Sequence, residues 1–229
     1  MLISVVIPAF NEEKTICELL EKVNLQSYEN FHIEIIVIDD CSTDNTCIIL
    51  KNNSHLYSKY LRLDKNLGKG GAVREGLKIA SGDYILFQDA DLEYDPNEYK
   101  KFFKMIKEFN PDVIIGSRFL SPEFTRVHYF FHKLGNKFIT ILFNLVYNTT
   151  FTDIYSCYLC FKRELVKPNK LKSNGWSQQA EILGTIVKRS NVFYEVPISY
   201  SGRTFNEGKK IKGRHAFSII YMIIKKRLF

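Results

Sequence analysis

Four carboxylates fall within seven residues at the end of an apolar run, in YILFQDADLEYDP, residues 84–96. Asp89, Asp91, Glu93 and Asp95 would repel one another if crowded together unpaired, and a carboxylate that shares its site with another is driven toward its neutral form. Something positive is expected there. Asp95 has an ordinary explanation, because it stands directly before Pro96, where a helix cap belongs. Asp89 and Asp91 sit at the mouth of the strand. Hard oxygen ligands with an open coordination sphere suit Mg²⁺ or Mn²⁺, whose remaining positions a substrate diphosphate can fill.

Other chemistry-bearing groups also lie at strand ends. Pro8 to Glu12 follow the first apolar run, Asp39 and Asp40 follow IEIIVI, and Gly116 to Arg118 follow DVII. In an open α/β sheet, ligands bind beyond the carboxyl ends of the strands, so one crevice should receive all four groups. GKGGAVREG lacks the spacing of a Walker loop and does not follow the first strand as a dinucleotide fingerprint would, which removes the dehydrogenase reading. Its glycines instead allow close helix packing, with Lys69 in reach of a phosphate. Cys157 and Cys160 form a C-x-x-C with no second pair, and read as small buried residues. His128 and His132 share a helix face but lack the Glu of a zinc-protease helix, and read as surface or interfacial.

These groups need elements to hold them. LISVVIP, IEIIVID, YLRL, DYILFQD and DVIIGSR read as strands. Between them come a helix capped by Asn11 with Glu12 and Glu13 in its first turn, a helix over STDNTCIILKN, one opened by the glycines of GKGGAVREGLKIA, and an amphipathic one over PNEYKKFFKMIKEF. Continuous β-branched runs separated by helices predict an α/β fold with a mainly parallel central sheet flanked by helices. With 229 residues, 45% hydrophobic, the chain is long enough to form this as a single domain over residues 1–229.

The net charge of +7 resides in the tail: residues 203–229 carry eight Lys or Arg against one acid, Glu207. Such a tail suits nucleic acid, an anionic membrane or a phosphorylated ligand. Nucleic acid is disfavoured, because no helix-turn-helix, zinc or stacking-platform pattern accompanies the charge. MLISVVIPAF reads as a strand and not as a secretory leader, and five cysteines without a pairing framework suit a reducing compartment. The expectation is a cytoplasmic protein, or one at the cytosolic face of a membrane.

Taken in order, VVIPAFNEE, VIDDCSTDNT, GKGGAVREGL, DADLEYDP, GSRF, TDIYSCYLCFKRE and EVPISYSGRTFNEGKKI resemble a family 2 glycosyltransferase, most nearly its dolichol-phosphate mannosyltransferase-like, polyprenyl-phosphate sugar transferase branch. The resemblance spans nearly the whole chain. It implies a nucleotide-diphosphosugar transferase (GT-A, Rossmann-like) fold and transfer of a hexose, with inversion, from a nucleotide-diphosphate sugar of the GDP-mannose or UDP-glucose type. It implies that Asp89-Ala90-Asp91 is the metal and donor motif, with Glu93 where relatives place a third metal oxygen, although an exposed Glu there is also an ordinary helix residue. It further implies that Asp39, with Val37 beside it, positions the nucleoside, and that Pro8, Phe10 and Glu12 border the base. Phe10 replaces a frequent Tyr. Asp40 is shared between binding and a turn with Ser42.

A hydroxyl acceptor needs a general base, and relatives acting on hydroxyls usually carry an acidic pair near the start of the helix in NGWSQQAEIL. Here Gln179 stands where an acid is common, and only Glu181 survives. A phosphate monoester is already ionised and needs cations, which Arg118, Arg126, Arg203 and Lys209 supply. The expected acceptor is therefore a polyprenyl or dolichyl phosphate, with SGRTFNEGKKI closing as a lid. A sugar hydroxyl acceptor and a non-catalytic nucleotide-sugar-binding module are the rival readings. To reach such a lipid, an interfacial helix over about 127–147, whose longest clean apolar run is too short to span a bilayer, and a basic amphipathic segment over about 203–229 are expected to lie on a membrane surface. Buried helices or faces for a membrane partner subunit are the alternatives.

Overall fold

The computed structural model describes residues 1–121, 130–202 and 215–228. Seven strands form one sheet: β1 (Leu2–Ala9), β2 (His32–Asp39), β3 (Lys59–Arg62), β4 (Tyr84–Phe87), β5 (Val113–Ser117), β6 (Leu159–Lys162) and β7 (Phe193–Pro197). Their spatial order is β3-β2-β1-β4-β6-β5-β7. β1, β2, β3 and β4 pair in parallel, in the register Val6↔Ile36, Val37↔Tyr60 and Val5↔Leu86. The expected mainly parallel α/β sheet is present.

Two strands, β6 and β7, lie beyond the expected series of five, and β6 breaks the parallel pattern. β6 runs antiparallel between β4 and β5, with Cys160 opposite both Leu86 and Ile114. Cys160 is fully buried on this central strand and Cys157 nearly so, and both are free thiols, as small core residues would be. β7 then joins β5 in parallel at the sheet edge.

The helices are α1 (Ile16–Asn24), α2 (Thr46–Asn52), α3 (Lys69–Ile79), α4 (Tyr99–Phe109), α5 (Phe130–Tyr147), α6 (Gln178–Val187) and α7 (His215–Leu228). α4 buries Tyr99, Phe102, Phe103 and Ile106, the i, i+3, i+4, i+7 stripe of PNEYKKFFKMIKEF. Each fully buried side chain of this size contributes about 1.5–3 kcal/mol. Asp95 caps the short turn ahead of α4 by accepting from the Asn97 amide.

Asn11 does not cap α1. The helix starts five residues later, and Asn11 sits in the left-handed region at φ 55°, where its side-chain oxygen accepts from the Thr43 amide. Asn tolerates that backbone as readily as a cap position. Its loop is thereby fastened to the loop after β2, and Glu12 adds to the join, its amide donating to Thr46 Oγ1. α7 packs against both α5 and α6, and α6 also meets α3. No helix among the described residues is long and apolar enough to cross a membrane.

Candidate active site

A cavity of about 690 Å³ opens at the carboxyl ends of the parallel strands. Pro8, Phe10 and Glu12 line it from β1, Asp40 from β2, Asp89, Ala90, Asp91 and Glu93 from β4, and Arg118 from β5. The four strand-end groups read from the sequence therefore do meet. The opposite wall is the 173–179 stretch, with Trp176 and Gln179, and α7 contributes His215.

The Asp89–Glu93 loop is held from behind by Gln88, which is fully buried. Its Nε2 donates to the carbonyls of Asp89 (3.0 Å) and Tyr94 (3.3 Å), while its Oε1 accepts from the hydroxyls of Tyr99 (2.8 Å) and Tyr158 (2.7 Å). Thr15 ties the start of α1 to the same loop by donating to the Ala90 carbonyl at 2.7 Å. Asp91 Oδ1 accepts from the Glu93 amide, and Leu92 takes a left-handed φ of 61° between them. This turn aims Asp89 and Asp91 into the cavity. The Lys69 ammonium is drawn onto Asp89 Oδ1 at 2.5 Å. Burial alone would lower the Lys69 pKa, but Asp89, with Asp91 beyond it, raises it above its usual value.

Glu93 lines the same cavity and is tied to the segment after β7. Its Oε2 accepts from the Tyr200 hydroxyl at 2.6 Å, its carbonyl accepts from the Ser201 amide, and Tyr94 bridges to Tyr200. Among the described residues, no three His, Cys, Asp or Glu side chains are grouped to hold a metal ion. Asp89 and Asp91 both line the cavity, and Asp89 there already faces a cation, the Lys69 ammonium.

The β2 pair divides its work. Asp39 is fully buried: it accepts from the Ser42 amide at 2.8 Å and pairs with Arg62 at 3.4 Å, so it braces the loop behind the cavity. Asp40 reaches the cavity wall, where its two oxygens accept from the amides of Leu67 (2.7 Å) and Gly68 (2.8 Å). Burial raises its pKa more than those bonds lower it, and Asp39 adds to the rise. Val37 lies mid-strand with no exposure, opposite Ile7 and Tyr60, so it packs the sheet and does not touch the crevice.

The glycines opening α3 serve close packing. Gly68 has φ +79°, and a Cβ on Gly70 would lie 2.6 Å from the Ser173 carbonyl oxygen. The amides of Gly70 and Gly71 donate to the Asn174 carbonyl, at 2.8 and 3.2 Å. These first-turn donors, which a phosphate loop would offer to its ligand, are therefore taken by the 173–175 stretch.

On the other side, Arg118 grips Asp153 through two nitrogens, Nε to Oδ2 at 2.7 Å and Nη2 to Oδ1 at 2.8 Å, and lies over the Tyr200 ring at 5.0 Å. Burial opposes its charge, but Asp153 holds the guanidinium protonated well above the ordinary range. Arg126, Arg203 and Lys209 lie outside the described residues, as does His128. Gln179 donates to the Ile154 carbonyl at 2.9 Å and to that of Ser156, clamping the loop that carries Asp153. Glu181 points away from the cavity: its oxygens accept from the Lys172 and Ser173 amides, and Lys226 stands 3.7 Å off.

The sequence model of glycosyl transferase family 2 matches residues 4–168, the span that builds the β1, β2, β4 and β5 ends of this cavity. The chain belongs to glycosyl transferase family 2. Among its relatives, dolichol-phosphate mannosyltransferase of Pyrococcus furiosus is 30% identical over 98% of this chain, which spans 64% of that protein. Poly(ribitol-phosphate) beta-N-acetylglucosaminyltransferase TarS of Staphylococcus aureus is 32% identical over 76% of the chain, and the match covers 30% of TarS. Among solved structures, glucosyl-3-phosphoglycerate synthase of Mycobacterium tuberculosis, in complex with Mn²⁺, UDP and glucosyl-3-phosphoglycerate, superposes with a TM-score of 0.74 at 20% identity. That match covers 99% of this chain and 80% of the synthase, and establishes the GT-A fold.

Several residues that shape this cavity carried no signal in the sequence. Gln88, Tyr94, Tyr200 and Asp153 orient the acids and Arg118 without standing out in composition or spacing. On the far wall Gln179 was read from the sequence, and Trp176, the single tryptophan, was not.

Proposed function

We propose that this family 2 glycosyltransferase moves a hexose, with inversion, from a nucleotide-diphosphate sugar of the GDP-mannose or UDP-glucose type to a polyprenyl or dolichyl phosphate. The observation that carries the phosphate acceptor is the state of the α6 start. Gln179 cannot take a proton, and Glu181 is turned out of the cavity and committed to backbone amides. The cavity wall facing the donor acids instead presents Arg118, its plane fixed by Asp153. The name of the Pyrococcus furiosus relative supports the same acceptor class.

In this reading Pro8, Phe10, Glu12 and Asp40 bound the nucleoside, and Asp89 and Asp91 would hold Mg²⁺ or Mn²⁺. Bound there, a divalent ion supplies Lewis acidity that makes the nucleoside diphosphate a better leaving group. Lys69 neutralises the diphosphate from the α3 side. Arg118, with Arg203, Lys209 and Arg126 outside the described residues, orients the acceptor phosphate so that one of its oxygens attacks the anomeric carbon as the bond to the diphosphate breaks. The Mn²⁺ and UDP named in the synthase complex support a divalent ion in this fold.

The acceptor is a lipid, and two helices offer a way to reach it. α5 exposes Phe130, Leu134, Phe138, Ile141 and Leu145, and α7 exposes Phe217, Tyr221, Ile224 and Leu228. Both are single helical stripes on packed neighbours, flanked by Lys133, Lys137, Lys225 and Arg227. Apolar stripes with basic flanks suit peripheral contact with an anionic cytosolic membrane face. A membrane partner subunit would use the same stripes.

The test is transfer from a panel of labelled nucleotide sugars to a short-chain polyprenyl phosphate, with Asp91→Asn as control. Metal-dependent product from one donor, lost by more than about a hundredfold in the variant at unchanged circular dichroism, is expected. Product only with a sugar hydroxyl acceptor would replace this reading with the second one, which the similarity to TarS favours.

A further inference from the structure

Lys69 is the first residue of α3, and the helix carries its ammonium into the cavity. There it contacts Asp89 Oδ1 at 2.5 Å and Cys157 Sγ at 3.6 Å, and lies 5.4 Å from the centre of the Trp176 ring. Five carboxylates line the cavity, Glu12, Asp40, Asp89, Asp91 and Glu93. The other guanidinium or ammonium group among the described lining residues, on Arg118, is committed to Asp153. Lys69 is thus the counter-ion of the donor wall.

That position conflicts with the proposed metal. A divalent ion on Asp89 would place two positive charges within a few ångströms of the ammonium, and like charges that close repel strongly at the effective dielectric of a protein site. The ammonium must leave when the ion arrives. The α3 amides at Gly70 and Gly71 already donate to Asn174, so the donor diphosphate gains little from them. The freed ammonium is what α3 can offer it.

We propose that Lys69 is a tethered counter-ion that a divalent metal displaces from Asp89 and that then passes to the donor diphosphate, coupling metal and donor binding through one side chain. This rests on the reading of Asp89 and Asp91 as the metal site. Lys69 leaves the face of Trp176 as it leaves Asp89, and Trp176 is the single tryptophan of the chain. The displacement therefore has its own optical reporter.

The experiment measures Mn²⁺ binding by electron paramagnetic resonance in the wild type and in Lys69→Met, alone and with UDP or GDP, and follows Trp176 emission during titration with diamagnetic Mg²⁺. Expected results are Mn²⁺ binding about tenfold tighter in Lys69→Met without nucleotide, and loss of the improvement that nucleotide brings to the wild type. Mg²⁺ should change Trp176 emission in the wild type and leave it unchanged in Lys69→Met. Equal Mn²⁺ affinities in the two proteins, or constant wild-type emission at Mg²⁺ concentrations that displace bound Mn²⁺, overturns the role of Lys69 and leaves the metal site standing. No Mn²⁺ binding by the wild type, with or without either nucleotide, overturns the metal site and this inference together. The wild-type emission decides the question even where the variant fails to fold.

Discussion

Gln88 uses both ends of its carboxamide on the loop that carries Asp89 and Asp91 and on the two tyrosines beneath it. Replacing it with Leu keeps the volume and strands the Tyr99 and Tyr158 hydroxyls in the core, at about 1–3 kcal/mol for each buried group left unpaired. Gln88→Leu is expected to lower the urea midpoint by an amount equivalent to about 2–6 kcal/mol and to weaken nucleotide-sugar binding, measured by calorimetry. Unchanged donor affinity would show that the loop holds its shape without this tie. Gln88 was illegible in the sequence because its partners lie up to 70 residues away and a lone Gln has no signature. Asp89 and Asp91 were legible as cavity-lining acids, because two carboxylates at a strand mouth have few other uses. Asp39 and Asp40 were legible as a pair, but which faced the cavity was not: strand twist and the demands of the Leu67 and Gly68 amides decide that. Glu93 and Glu181 were legible as acids, while the Tyr200 hydroxyl and the Lys172 amide, which claim them, were not.

At the scale of elements, α3 and the 173–175 stretch fit together through the absence of side chains. A methyl group at Gly70 would meet Ser173 O at 2.6 Å, the Asn174 carbonyl carbon at 2.8 Å and Gln178 Cβ at 2.9 Å, two of them backbone atoms with little room to move. Gly70→Ala is expected to destabilise the fold by about 1–3 kcal/mol, the usual cost of overpacking, and to raise the KM for the donor as Lys69 and Trp176 move apart. Thermal melts and steady-state kinetics on one preparation check both. The parallel half of the sheet was readable because β-branched runs alternate with helices there. β6 was not: LCFK follows another apolar stretch, and nothing in four residues says which way a strand runs or between which neighbours it inserts. The apolar bodies of α5 and α7 were evident, since their periodicity is helical whatever covers them.

Across the whole molecule, one carboxylate ties four segments at the end of the sheet away from the cavity. Glu34 on β2 accepts from Ser4 of β1 at 2.5 Å and from Ser81 before β4 at 2.5 Å, and pairs with Lys59 of β3 at 2.6 Å. Burial would raise its pKa, yet the Lys59, Ser4 and Ser81 contacts bring it down to about 2. A carboxyl depressed on folding stabilises fully above its unfolded pKa, near 4.5, and that stability is lost as pH falls toward about 2. Glu34→Gln should therefore cost about 2–3 kcal/mol at pH 7, with the gap from wild type narrowing between about pH 5 and 2 in urea titrations. The outer stripes supply a second expectation at this scale. Phe138→Glu with Leu145→Glu, both at exposed positions, should cut binding to vesicles containing anionic lipid by more than about tenfold while the melting temperature holds. Unaltered vesicle binding would assign the stripes to a protein partner.

The antiparallel insertion of β6 also has a consequence in time. β5 finds its sheet neighbours only in β6 and β7, whereas β1, β2, β3 and β4 complete one another within the first 87 residues. A chain growing from the ribosome can zip the first four strands early and present the Asp89 wall soon after. Residues 113–118 must wait until residue 162 has emerged before they have any strand to join. Arg118 is thus held in suspense through some forty residues of synthesis, and the two walls of the cavity come into being in sequence, the one with the acids first.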